Sequence, residues 1–180
     1  MATLYHNITG ELTRELLAPG DEANISKISL TNVDSSSTTV DAEVDLYIEK
    51  KKFGKFYLLK GVKIPVGATL IYDNVNFSNK TNEFGLYIKL TKGTTFPITI
   101  TPNGGTEGID PTASTTVTGV GTSFLSDLSI GDEIVVSGET RIITAIASDT
   151  SLTVSVAFSN NSNDATPDCN PVAPVDVILY

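Results

Sequence analysis

Tryptophan is absent from this 180-residue chain, and cysteine and histidine occur once each. With a single cysteine, Cys169, no internal disulfide can form, so stability has to come from packing and strand pairing. No histidine or basic residue stands near Cys169 in sequence to lower its pKa, and it reads as an incidental loop thiol. One histidine and one cysteine cannot build a zinc cluster, and His6 has no nucleophile phrase beside it, so His6 reads as structural. The missing tryptophan removes an aromatic platform that a polysaccharide-cleaving or sugar-binding site usually offers. No apolar run approaches the ~20 residues that span a bilayer, and MATLYHNITGEL lacks the basic-then-apolar layout of a signal peptide, which sets the expectation of assembly in a cytoplasm, without a membrane. Asn-x-Ser/Thr triplets at Asn7, Asn24, Asn76, Asn79 and Asn160 then read as a consequence of composition.

Positive charge is also scarce. A net charge of −9 argues against a nucleic-acid surface, because neutralising phosphates needs clustered Lys and Arg. The deficit is local: residues 106–170 hold nine acids and one base, Arg141, whereas the remainder holds twelve acids and eleven bases. Every lysine and every tyrosine lies outside 106–170. That shift in composition marks a domain boundary.

What is present is alternation. The sequence predicts strands over 2–9, 23–30, 40–48, 84–91 and 96–101, with a short turn of helix over Leu12–Ala18. The segment 54–75 predicts two strands about a Pro65–Gly67 corner, and the lysine-rich segment 50–56 a hairpin loop with Gly54 near its tip. In 40–48, Val40, Ala42, Val44, Leu46 and Ile48 share one face, which belongs to a core, and Asp41, Glu43, Asp45, Tyr47 and the following Glu49 the other, which belongs to water or a partner. About seven strands at spacings of roughly eight to twelve residues, with almost no helix, are the signature of an antiparallel sandwich. After the Gly/Pro-rich linker PNGGTEGIDP, residues 114–159 form a second set of short strands with a helical turn at FLSDL. A further polar linker precedes an apolar closing strand, Val175–Tyr180, which a completed small barrel has no room for. The expected division is therefore 1–105 plus 171–180 for a discontinuous first domain and 106–170 for an inserted acidic one.

Few residues suggest chemistry. Asp41, Glu43 and Asp45 invite a calcium proposal, but i and i+2 neighbours on a strand stand roughly 6.6 Å apart, while Ca²⁺ gathers oxygens within ~2.6 Å. They read as a solvated or interface face. Gly119-Val-Gly121 lacks the third glycine and the βαβ setting of a dinucleotide fingerprint and reads as a turn. Lys50, Lys51 and Lys52 form a compact basic tip suited to an acidic neighbour subunit. The candidate partner-contact residues are thus Lys50–Lys52 with Asp41, Glu43 and Asp45. No catalytic, cofactor or metal residues are assigned.

The phrase Tyr57-Leu58-Leu59-Lys60-Gly61-Val62-Lys63-Ile64-Pro65-Val66-Gly67-Ala68-Thr69-Leu70, with LLAPGDEANISKISLTNVDSSSTTVDAEVDLYI before it and PVDVILY at the end, resembles a β-sandwich module of tailed-bacteriophage virion proteins. Gly121, Thr122, Phe124, Leu128, Gly131, Asp132 and Ile134 resemble the small SH3-like barrels that phage tail and capsid proteins carry as inserts. The resemblance implies an all-β protein, a jelly-roll-like antiparallel sandwich with an inserted SH3-like barrel. It also implies a non-enzymatic accessory or decoration protein on capsid, neck or tail, homo-oligomeric and in contact with other virion subunits. A host-receptor or glycan-binding module of a tail fibre or adhesin is the alternative.

Overall fold

The computed structural model describes residues 3–10, 13–21, 23–35, 40–50, 53–78 and 83–180. Nine strands precede residue 92: β1 (Leu4–Ile8), β2 (Thr13–Leu17), β3 (Asn24–Ile25), β4 (Ile28–Asn32), β5 (Ala42–Lys50), β6 (Gly54–Ile64), β7 (Thr69–Tyr72), β8 (Phe77–Ser78) and β9 (Phe84–Thr91). Then follow β10 (Phe96–Pro97), β11 (Gly108–Pro111), β12 (Thr116–Val120), the single-turn α1 (Phe124–Asp127), β13 (Glu133–Val136), β14 (Glu139–Ser148), β15 (Ser151–Val154), β16 (Asp168–Asn170) and finally β17 (Val175–Leu179). The chain divides into two compact units, one of residues 1–34, 40–91 and 173–180, the other of 35–39 and 92–172.

The first unit is built of two antiparallel four-stranded sheets, β1-β17-β4-β7 and β2-β9-β5-β6, with a two-stranded ribbon β3-β8. Counting the eight sheet strands in chain order, the sheets read 1-8-3-6 and 2-7-4-5, which is jelly-roll topology. The second unit enters between the seventh and eighth of these strands. Alternation drives the packing: Ile28 and Leu30, then Ala42, Val44 and Leu46, then Leu86, Ile88 and Leu90, then Val175, Val177 and Leu179 are all buried. Each such side chain contributes about 1.5–3 kcal/mol. One polar group sits among them by design of its bonds. Asn32 is fully buried; its Nδ2 donates to the carbonyls of Val40 and Ile64, both at 3.0 Å, and its Oδ1 accepts from Asp34 N. With donors and acceptor satisfied, the burial penalty of the amide is offset.

Several elements differ from expectation. Residues 13–17 form a strand where a helical turn was expected; TRELL has no strong β bias, but pairing with β9 and burial of Leu16 and Leu17 outweigh local propensity. The single strand expected at 23–30 is split, because the Tyr180 carbonyl accepts from Ser26 N at 2.8 Å and holds a bend there. The strand expected over 96–101 is regular only at Phe96–Pro97. Tyr47 was placed on a solvated face, yet it is 2% exposed, covered by neighbouring tyrosines on both flanking strands.

The second unit is one seven-stranded antiparallel sheet, β10-β16-β13-β14-β15-β12-β11. The long strand β14 pairs with β13 through Ile142 and with β15 from Ile143 onward, so one strand hands the sheet from one ladder to the next. Both halves fill a single core around Ile109, Val117, Phe124, Ile134, Val136, Ile143, Leu152 and Cys169. The unit begins at 92 and ends at 172, outside the expected 106–170, because β10 pairs with β16 and Gly93 N donates to Pro171 O at 2.7 Å. Cys169 therefore lies in a buried strand and not in a loop. Burial pushes its thiol pKa up, with Asp132 alongside adding to the effect, which keeps it an unreactive thiol.

Because Gly93 and Pro171 stand side by side, excising 92–172 and joining Thr91 to Ala173 by a short Gly/Ser loop should leave a cooperatively folding jelly roll. Truncation after Pro174 should not, since it removes the strand between β1 and β4. Circular dichroism and thermal unfolding of the two variants check both outcomes.

Candidate docking face

The face to consider is built on the sheet β2-β9-β5-β6. Its central strand β5 pairs with β6 on one side and β9 on the other, and one rung carries Tyr57, Tyr47, Tyr87 and Glu15 across all four strands. The ring centroids of Tyr47 lie 5.6 Å from those of both Tyr57 and Tyr87. Lys55 Nζ stands 4.4 Å above the Tyr47 ring and donates to its hydroxyl at 3.2 Å, and Lys60 Nζ stands 4.8 Å above Tyr57. The bond to Tyr47 raises the Lys55 pKa, so its charge is secure at neutral pH. At the other end of the rung the Tyr87 hydroxyl donates to Glu15 at 2.9 Å, and burial, followed by that acidic partner, pushes the phenol up to about 12.

The acidic row is placed beside this cluster. Glu43 lies opposite Lys63 on β6, and Asp45 lies opposite Lys89 on β9. Asp45 also accepts the N–H of Gly61 at 2.7 Å, where the register slips by a bulge and Gly61 takes φ +59°. The carboxylates are thus spread along a strand and faced by lysines. Among the described residues no group of three or more His, Cys, Asp or Glu is arranged to hold a metal. Lys50 forms an ion pair with Glu83 at 2.5 Å and lies near the rings of Phe53 and Phe84. Lys51 and Lys52 lie outside the described residues. Asp41 is exposed just before β5.

What sequence reasoning missed is that β6 is an edge strand. It runs eleven residues, pairs on one side only among the described residues, and leaves Phe56 49% and Tyr57 45% exposed, next to Phe53 at 69%. From Lys50 to Tyr72 the chain has six lysines and no acid. Three tyrosines at matching positions of three strands were the available signal; only the register reveals that they meet.

The acids of the second unit do a different job. Glu107 accepts three consecutive backbone N–H groups, from Asn103, Gly104 and Gly105, at 2.9–3.0 Å. Asp149 accepts Leu125 N at the start of α1, Asp164 accepts Ser137 N and Thr166 N, and the buried Asp132 accepts Ser129 N and Val172 N. Glu139 holds Ser159 through both N–H and hydroxyl, and Asn160 N at 2.8 Å, and pairs with Arg141. The Ser159 bonds, more than Arg141, bring the Glu139 pKa down to about 2. Of the segment expected as a turn, Gly119 and Val120 end β12 and Phe124 opens α1; the chain bends only between them, where Gly121 has φ +74° and a Cβ would meet Thr101 O at 2.2 Å. His6 projects from β1 with Nε2 buried and without a hydrogen-bond partner among the described residues, and burial lowers its pKa.

No protein-family model, no curated protein and no solved structure matches this chain.

The pinning by Glu139 has a defined pH dependence. A carboxylate whose folded pKa is depressed stabilises the fold fully above its ordinary value of 4.5, and the contribution is lost as pH falls toward 2. The destabilisation caused by Glu139→Gln, measured by urea unfolding, should therefore be constant above pH about 4.5 and shrink toward zero near pH 2. A cost that does not change with pH would mean that shape, and not charge, holds the 159–160 loop.

Proposed function

We propose that this chain is a non-enzymatic structural component of a tailed-phage virion, an accessory or decoration protein bound to capsid, neck or tail and carrying the acidic second unit as an SH3-like appendage. The observation that carries the reading is the β6 edge, a long, basic, aromatic strand left unpaired on one side. Lysines and register slips are the devices by which natural sheets discourage indiscriminate edge pairing, and β6 carries both, so a partner there has to match its charge. The phrase Tyr57–Leu70, which resembles the virion module, lies along this same strand and the corner after it. Jelly rolls serve both capsid and lectin domains, so the fold alone does not choose between a scaffold and a receptor-binding module. The use of side chains favours the scaffold. Tyr47 is covered by Lys55, the Tyr87 hydroxyl is taken by Glu15, and five of the second unit's acids pin its own loops. In this reading the protein recruits no nucleic acid, membrane or cofactor, and its partners are virion subunits, including copies of itself in a symmetric assembly.

The test is mass spectrometry of purified particles followed by cryo-electron microscopy. The chain should be present in stoichiometric amount, with density for the jelly roll against a neighbouring subunit. Its absence from purified particles, together with binding of the isolated chain on a glycan array, would replace this reading by the receptor-binding one.

A further inference from the structure

Among the described residues eight strands stand at a sheet edge: β1, β7, β2, β6 and both strands of the β3-β8 ribbon in the first unit, β10 and β11 in the second. Seven of them are short. β10 and β11 are two and four residues long and contain Pro97 and Pro111, which cannot donate a ladder bond. β7 has four residues, β1 and β2 five each, and β3 and β8 two each. β6 is the longest of the eight at eleven residues and exposes two adjacent aromatic side chains, Phe56 and Tyr57, although its register with β5 shifts twice after Tyr57. We infer that this edge, over Gly54–Leu59, takes an extended acidic strand of another polypeptide as the fifth strand of the sheet, on the reading given under Proposed function that the chain docks on other subunits.

Charge selects the occupant. β6 carries Lys55, Lys60 and Lys63 and no acid, so pairing with β6 of a second copy sets lysines against lysines. The occupied side of the strand shows what it accepts: Glu49 lies opposite Lys55, Glu43 opposite Lys63, and Ile48 opposite Phe56. A complementary strand on the free side alternates in the same way, with carboxylates toward Lys55 and Lys60 and aliphatic side chains toward the half-exposed Phe56. Backbone hydrogen bonds supply the affinity of such strand addition, and the alternating side chains supply the specificity.

The probe is a fluorescein-labelled peptide with the sequence of residues 40–49, VDAEVDLYIE, which has this alternation, titrated into the full-length chain by anisotropy. Saturable binding is expected at low salt. It should weaken at least about tenfold in high salt and in the double variant Lys55→Glu/Lys60→Glu, compared at equal thermal stability. Methylating alternate peptide nitrogens should abolish it; this arm uses the unaltered protein and does not depend on the variant folding. Equal binding of the methylated peptide, or binding indifferent to the charge reversal, overturns the inference. So does self-association of the chain, seen in sedimentation, that the double variant removes, because the edge then belongs to a second copy. Particle incorporation without peptide binding sinks the edge assignment and leaves the virion role standing, whereas peptide binding by a chain absent from particles does the reverse.

Discussion

The first unit depends on β17 lying between β1 and β4. Leu4 pairs with Leu179 and Ile8 with Val175 on one side, while Ile28 pairs with Leu179 and Asn32 with Val175 on the other. A five-residue strand thereby satisfies two ladders and buries Val175, Val177 and Leu179 completely or nearly so. Without it the first sheet is β1 alone beside a two-stranded β4-β7 remnant, too small to be stable in water. The partners are about as far apart in sequence as this chain allows, so loop closure has to be met before the contacts are gained. Placing the second unit in the connection before β17 makes this worse unless that unit folds on its own and brings its two ends together. Its two ends do come together: Gly93 and Pro171 are hydrogen-bonded neighbours, and β10 lies beside β16.

The two units handle charge in opposite ways. In the first, lysines and carboxylates face one another across the strands of one sheet, and Lys55 and Lys60 lie over tyrosine rings. In the second, Glu107, Asp132, Glu139, Asp149 and Asp164 turn inward toward backbone N–H groups that the loops leave unsatisfied. An unpaired N–H costs about 1–3 kcal/mol when shielded from water, which is why short loops with little apolar content collect carboxylates. The acidity of residues 106–170 is to that extent a requirement of loop geometry, and these carboxylates, together with the exposed Asp110, give the unit its negative charge.

Much of the fold was legible because alternation with a period of two is a local property. The buried positions Val44, Leu46, Ile88, Leu90, Val154 and Val177 all fall on faces that the spacing indicates, and the helical turn at FLSD was visible in its sequence. The misses have one cause. TRELL became a strand, Tyr47 became buried, and Cys169 entered a strand because partners remote in sequence (Leu86–Lys89, then Tyr57 and Tyr87, then Phe96 and Ile134) supply what local propensity does not. The candidate contact residues were legible as charges, but not as a face. Nothing in the spacing of Lys55, Lys60 and Lys63 says that their strand is an edge.

By itself, then, the sequence determined that this protein is built of strands, that its acidic stretch is a separate body, and that the last residues are a strand in need of neighbours, because composition and periodicity are carried by each segment alone. Strand order was decided only by the tertiary structure: which edges stay open, which rings stack, and which carboxylates find backbone instead of solvent. Those outcomes follow from register between segments that no local pattern connects, and register is a property of pairs.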